Sequence, residues 1–513
     1  MEHSDYAQGR TFADRFFADS RQSENKQACS AFAAGKKAAR NGRTLCAYTS
    51  DGVSDFRVRL IPAADHAPGE KRVIDYPGIE GGFGHDARWE LDEVSHTFAY
   101  YDSEVPFANE HQVFISENTC ASKAAASDRK HEDALIDWHT LPQLALERSC
   151  TADEAVTWMG KLVSRYGLRG AAESFLVCDA KEVWLFEAVG DSTVWAAVRC
   201  PDDRVIFHAN RLRIGELSGV CRYSENVITN AIEKKLYSEA DGPFDFEKVY
   251  SDNRTSLNCI RREWRASDLI CPSRKYLPNA ISYPLFLKPE IPIDRAWIMN
   301  SLWRDALEGT SFDPSVGTLA GPFHTPLRQS IKGASGCDRY ISTSRIAYTT
   351  VCEAADIPEK GLTLFSADTP RNGTYLPLFC GADRIPDAFT RGDYKHADDD
   401  SLFWAFQKLD TLCSVRYSDM HKDVRTLFDA LESEQETELA ELLKKPDVSR
   451  EALSAFTERR TLKALGAAKE TLLNLFARYR DGEPEGEADE EWLSIYKKYT
   501  PSDNADEALI YRY

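Results

Sequence analysis

A thiol attacks a carbonyl carbon only as its thiolate, so a cysteine that does chemistry needs a proton acceptor beside it or a lowered pKa. Of the 13 cysteines in this 513-residue chain, Cys29 stands where the polar run SENKQA gives way to an organised apolar pattern. Cutting the Ala28–Cys29 bond would give Cys29 a free α-amino group, whose reference pKa of about 7.7–8.0 suits proton transfer near neutrality. Nucleophile and base would then share one residue, and the chemistry would be amide-bond hydrolysis. By residue type alone Cys29 reads as an inert buried thiol, because cysteine packs as a small hydrophobe. Arg262 and Arg265, in RREWR, are candidates to hold a substrate carboxylate, since a planar guanidinium forms two parallel hydrogen bonds to it; the bland alternative is surface charge. His96, His111 and His208 stand singly on strand-like segments without HExxH or paired spacing, so they read as structural. No metal and no cofactor is expected.

The elements that must position these groups follow from periodicity. Two short apolar stretches, CSAFAA and TLCAYTS, flank Asn41-Gly42, a dipeptide suited to a tight hairpin turn, so a strand, a turn and a second strand are expected there. Further strands are expected at 56–63, 96–101, 111–116, 174–179, 182–189, 192–200 and 204–209. Residues 133–149 and 151–167 carry apolar residues at helical spacing, and Thr151 with Glu154 three residues on forms a capping signature. Helices and strands in separate runs argue for a layered α+β architecture with largely antiparallel sheets. No G-x-G-x-x-G or P-loop pattern stands at a strand-to-helix junction.

Together these blocks carry a family resemblance. The segment from Cys29 to Gly69, CSAFAAGKKAARNGRTLCAYTSDG running into SDFRVRLIPAADHAPGE, resembles the start of mature cysteine dipeptidases of the dipeptidase A and secernin group, which are N-terminal-nucleophile hydrolases. The resemblance continues through VPFANEHQVFISENT, AAESFLVCDAKEVWLFEAVG and WAAVRCPDDRVIFHANRLRIGEL, and covers roughly residues 29–420. It implies a four-layer αββα sandwich and a dipeptidase acting on dipeptides or short peptides. It also implies roles by position: Cys29 as nucleophile, Asp51 as the acid that orients its amino group, and Asn210 as an oxyanion donor. Asn109 is a second candidate for that donor or for substrate contact. The nearest alternative is a hydrolase of N-acyl amides such as penicillin or bile-salt conjugates; another is a secernin-like protein without turnover. Two departures stand out. Relatives often carry arginine or histidine where this chain has Tyr48, which bears on substrate preference, and a long segment precedes Cys29, whose removal the mechanism requires.

Composition sets the outer limits. A formal charge of -19, from 63 basic and 82 acidic residues, opposes nonspecific attraction to phosphate backbones and anionic membranes, so neither nucleic acid nor membrane is an expected partner. No apolar run is long enough for a transmembrane helix, residues 1–28 lack the apolar core of a secretory signal, and scattered cysteines without CxxC pairs favour free thiols. A cytoplasmic location is expected, with self-association into a homo-oligomer left open. The chain divides into a leader (1–28), a hydrolase domain (29–420) and a helical extension (421–513), where FDALESEQETELAELLKKP and REALSAFTERRTLKALGAAKETLLNLFARYR precede an acidic run. That extension reads as a solvated helical appendage without chemistry.

Overall fold

The strand β1 (Ser30–Ala34) has every residue buried, and so does β2 (Leu45–Asp51). A strand covered on both faces has no solvent side, and its alternation sorts side chains between two cores instead. Ala31, Ala33, Cys46 and Tyr48 join one core with Cys29; Phe32, Ala34, Leu45 and Ala47 join the other. This computed structural model describes residues 29–499 except 53–54, 76–87, 220, 327–338, 395, 481–487 and 489. The expected leader therefore lies outside the described residues, as does most of the acidic run.

β1 and β2 lie inside a six-stranded antiparallel sheet, in the order Val205–Ala209, β1, β2, Ile346–Glu353, Leu362–Ala367 and Leu376–Phe379. The second sheet has eight strands, centred on Phe114–Cys120, Ala172–Cys178, Val183–Ala188 and Trp195–Cys200, again antiparallel. Between the sheets lies the first core, where Ala31, Tyr48 and Phe365 meet Phe114, Leu176 and Leu185. Outside the eight-stranded sheet, Phe175, Val177 and Phe186 pack on Leu141, Leu144, Val156 and Met159 of the helices Thr140–Arg148 and Ala152–Tyr166. Outside the other sheet, Phe32, Val351 and Leu364 pack on Leu302, Leu439 and Phe456. The result is an α+β sandwich with layers in the order helix, sheet, sheet, helix.

Local chemistry sets the element ends. Thr151 Oγ1 accepts from Glu154 N at 3.2 Å, and the Glu154 carboxylate accepts from Cys150 N at 2.7 Å, so the helix starts where the capping signature places it. The preceding helix starts only at Thr140, later than residue 133, because Asp137 Oδ1 accepts from the backbone N–H groups of His139 and Thr140. Asn41-Gly42 is not a two-residue hairpin turn. β1 and β2 pair in the register Ser30↔Thr49 to Ala34↔Leu45, leaving residues 35–44 as a longer connection that packs on Asp202 and Ile293; Gly42 has φ 73° within it. The strand expected at 111–116 begins at Phe114, because Gln112 takes φ 55° in a turn closed by its N–H on Asn109 O.

The C-terminal helices cover the sheet. Tyr417–Lys444 runs without a break across the boundary expected at 420, and Leu439 and Leu442 enter the outer core. From Arg450–Arg478, Leu453 and Phe456 join them, and Thr457 donates to Pro377 O at 2.7 Å. Among the described residues no helix is long and apolar enough to cross a membrane.

Candidate active site

Strand register brings the first site residues together. Ser30 pairs with Ala209 on one side and Thr49 on the other, so Cys29, one step earlier, lies beside Asn210 and near the end of β2 that carries Asp51. Ser30 N donates to Thr49 Oγ1 at 3.0 Å and holds this end closed. Cys29 is buried, at 3% exposure.

Arg262 links the pieces. It sits on the helix Leu257–Ile270, whose Cys259, one turn earlier, directs its thiol at Asn210 O. The guanidinium donates to Cys29 O at 2.5 Å, to Ser30 Oγ at 3.0 Å and to Asn210 Oδ1 at 2.8 Å. Asn210 Nδ2 commits one N–H to Thr119 O at 2.9 Å, and Asn253 Nδ2 donates to Asn210 O at 2.6 Å. The stretch after Asn210 is pinned by Glu263, which accepts from Arg211 Nε at 2.7 Å and pairs with Arg213 at 2.5 Å. Burial pushes the Glu263 carboxyl up, but Arg213 and Arg211 outweigh burial and hold it below its ordinary value.

The sulfur has two hydrogen-bond partners, and the single Tyr48 hydrogen lies within reach of both Cys29 and Glu117. The Tyr48 hydroxyl stands 3.1 Å from Cys29 Sγ, and the Asp51 backbone also hydrogen-bonds the thiol. Both favour the thiolate, yet burial first, and then the charges of Glu117 and Asp51, push the thiol well above its ordinary value. The resting sulfur is therefore protonated, and a base must act before it attacks. The same Tyr48 hydroxyl is 3.2 Å from Glu117 Oε2, on the facing strand Phe114–Cys120. Thr119 donates to Glu117 Oε1 at 3.0 Å, and Glu173, on the neighbouring strand, shares a hydrogen bond with Glu117. Burial raises both carboxyls; the bond between them pulls Glu117 down and pushes Glu173 further up, so the two titrate as a pair with Glu173 the weaker acid.

Asp51 is buried and paired through Oδ2 with Arg339, while its Oδ1 has no hydrogen-bond partner among the described residues. Burial raises its carboxyl, against the pull of Arg339 and Arg262. Arg339 itself is pushed down to about 10 by burial and by repulsion from Arg262. The site thus holds two guanidiniums, Arg262 and Arg339, and two carboxyls, Asp51 and Glu117, around one sulfur, with Glu173 behind Glu117.

The structure brings Cys29, Asp51, Asn210 and Arg262 into this cluster. It places Asn109 and Arg265 in other networks. Asn109 Nδ2 donates to Leu146 O and Ser149 O, each at 2.8 Å, and its Oδ1 accepts from His111 N and Val113 N. Those four bonds occupy the amide, so it staples a turn and has no N–H left for an oxyanion. Arg265 pairs with Asp305 at 2.6 Å and with Asp268 at 3.4 Å, one turn along the helix from Arg262 and aimed at another loop. His208 is fully buried between Ser174 Oγ at 2.9 Å and Glu187 at 3.4 Å. Sequence reasoning missed Glu117, Glu173 and Arg339 as site residues and treated Tyr48 only as a departure. The available signal was two glutamates, Glu117 and Glu173, inside strand-like apolar runs where a charge has no solvent face.

Comparison with known proteins follows the same stretch of chain. The family described as Peptidase family C69 matches residues 28–429. A protein named probable dipeptidase from Salmonella dublin is 28% identical over 313 residues, covering 56% of this chain and 68% of that protein. A probable dipeptidase B from Streptococcus pyogenes serotype M1 is 25% identical over 410 residues, covering 76% of this chain and 79% of its own.

Proposed function

Because the chain belongs to peptidase family C69 and is a peptide-bond hydrolase, we propose that it is a cysteine dipeptidase that forms an acyl-enzyme on Cys29 once residues 1–28 are removed. The observation that carries this reading is the Arg262 fork, which joins the Cys29 carbonyl to the Asn210 amide and so fixes nucleophile and oxyanion donor in one frame. In the mature enzyme the Cys29 α-amine takes the thiol proton, the thiolate attacks the scissile carbonyl, and the second N–H of Asn210 meets the developing oxyanion. The amine then protonates the departing amino acid and later takes a proton from the water that releases the acyl group. Asp51 Oδ1, unpartnered and beside the sulfur, is the acceptor for the ammonium form of that amine. Arg262 and Arg339 oppose a further positive charge nearby and favour the neutral, basic amine. Every described cysteine is a free thiol, which supports a reducing, cytoplasmic setting.

The test is N-terminal sequencing of purified wild type and Cys29→Ala, with dipeptide and N-acyl amide hydrolysis measured on both. A wild type that begins at Cys29 and cleaves dipeptides, beside an inactive Cys29→Ala, is the expected result. Cleavage of N-acyl amides with dipeptides untouched would replace the substrate class. An uncut wild type without hydrolysis would replace enzyme by binding protein.

A further inference from the structure

The proposed chemistry leaves one step without a base. Before the leader is cut, Cys29 nitrogen is a peptide nitrogen and carries no basic lone pair, yet the thiol is buried and must lose its proton to attack Ala28. Cys29, Tyr48 and Glu117 form a triangle of hydrogen-bonding side chains: Glu117 bonds the Cys29 side chain directly, and the Tyr48 hydroxyl bridges the two, 3.1 Å from Cys29 Sγ and 3.2 Å from Glu117 Oε2. The hydroxyl has one hydrogen and can accept one, so it can take a proton from sulfur while giving its own to the carboxylate. We infer that Tyr48 and Glu117 form the relay that deprotonates Cys29 in the uncut chain, an inference that rests on Cys29 being the nucleophile.

The atoms balance without an added reductant or oxidant. The Cys29 S–H bond breaks, its proton goes to Tyr48 Oη, and the Tyr48 proton goes to Glu117 Oε2. The thiolate bonds to the Ala28 carbonyl carbon. As the C–N bond then breaks, the Cys29 nitrogen leaves with a proton returned along the same relay, giving a free amine and a thioester. Water hydrolyses the thioester, releasing the leader as a carboxylic acid and restoring the thiol. Each later turnover uses the amine so created.

Glu117 is suited to this role by its neighbours. Tyr48 and Cys29 face it from the other sheet, Glu173 and Thr119 from its own, and the charged and titratable surroundings of the pair Glu117 and Cys29 include Glu104, Cys120, Asp51, Arg339 and Tyr348. The bond between the two carboxyls lowers Glu117 and raises Glu173, which favours the ionised form at Glu117 over that at Glu173. Burial raises the Glu117 carboxyl, which makes its carboxylate a stronger proton acceptor than a solvated one. The Tyr48 hydroxyl can bridge sulfur and carboxylate because it both accepts and donates a proton, which a donor-only guanidinium at that position could not do.

Full-length chains made by cell-free synthesis and sampled by intact mass provide the test. Wild type is expected to lose residues 1–28 and Cys29→Ala to keep them, while Tyr48→Phe and Glu117→Gln process about 100-fold more slowly, within the range contributed by a positioned base. The wild-type rate should rise with pH through the ionisation of Glu117, with that limb absent in Glu117→Gln and part of the rate recovered in Glu117→Asp. Thermal melts establish that each variant is folded, and the Glu117→Asp rescue and the wild-type pH limb carry the test where one is not. Wild-type processing rates in Tyr48→Phe and Glu117→Gln, beside an uncut Cys29→Ala, overturn the relay and leave the nucleophile standing. Leader loss from Cys29→Ala, or a wild type that stays uncut, overturns the reading on which the relay rests.

Discussion

The Arg262 guanidinium donates to Asn210 Oδ1 at 2.8 Å, and this decides which end of the amide faces the cation. Oxygen and nitrogen of an asparagine amide are near-isosteric, so a fixed donor is what sets their orientation. Lysine offers a compact ammonium that does not span the Cys29 carbonyl and the amide together. Arg262→Lys should lower kcat on a dipeptide about 100-fold with little change in KM, and Asn210→Ala by a comparable factor, as expected for one oxyanion donor. The double variant should lose far less than the product of the two, which steady-state kinetics on all four proteins will read.

The buried Asp51 carboxylate pairs with the part-buried Arg339 next to the sulfur. Asp51→Asn removes the carboxylate charge from this pair, which should cost about 3 kcal/mol of stability by urea unfolding. Asp51→Asn with Arg339→Met should recover much of that stability but not the activity, because the carboxylate that would hold the amine stays absent. Recovery of both would assign Asp51 a purely structural role.

Asn109 gives the opposite split. Its four backbone bonds, to Leu146, Ser149, His111 and Val113, become four unmet groups in Asn109→Ala, at a cost of about 3 kcal/mol. The folded fraction should keep its kcat, measured below the lowered melting temperature.

Glu104 offers a pH signature of folding. Its carboxylate is buried, accepts from Asp55 N at 2.6 Å, and burial lifts its pKa from the ordinary value to about 7. The folded state therefore binds this proton more tightly than the unfolded chain, so the stability it contributes is complete below the ordinary carboxylate range and is lost as pH rises toward 7. Glu104→Gln removes that loss and should raise stability at pH 8 by about 2–3 kcal/mol while changing little at pH 4, read from urea midpoints across pH.

How much of this was legible in sequence depended on whether the signal was local. The helix beginning after Thr151 could be read because its cap lies within four residues, and the strands Val183–Ala188 and Trp195–Cys200, expected at 182–189 and 192–200, because apolar, aromatic and β-branched residues concentrate over a short window. Three strands of the sheet that carries Cys29, Ile346–Glu353, Leu362–Ala367 and Leu376–Phe379, were not anticipated. They are buried along their whole length, as Val183–Ala188 is, and a short apolar run without polar alternation does not by itself distinguish a strand from a buried helix segment. Cys29, Asp51 and Asn210 came from a family pattern. Arg262 was singled out for a carboxylate, and the structure turns it onto the protein's own amide. Glu117 was invisible as a site residue because its meaning lies in a partner, Tyr48, 69 residues away on the facing sheet.

The strand that begins beside Cys29 is hydrogen-bonded along both edges, to β2 and to Val205–Ala209. New chain ends usually fray, and an end that carried a catalytic group would have to be gathered in again at every turnover. Here severing the backbone would alter valence without loosening position: the sheet already holds the residue from both sides, as a rail holds a fixed stop. The amine would be born in register, and no freedom of motion would have to be surrendered when a substrate arrives.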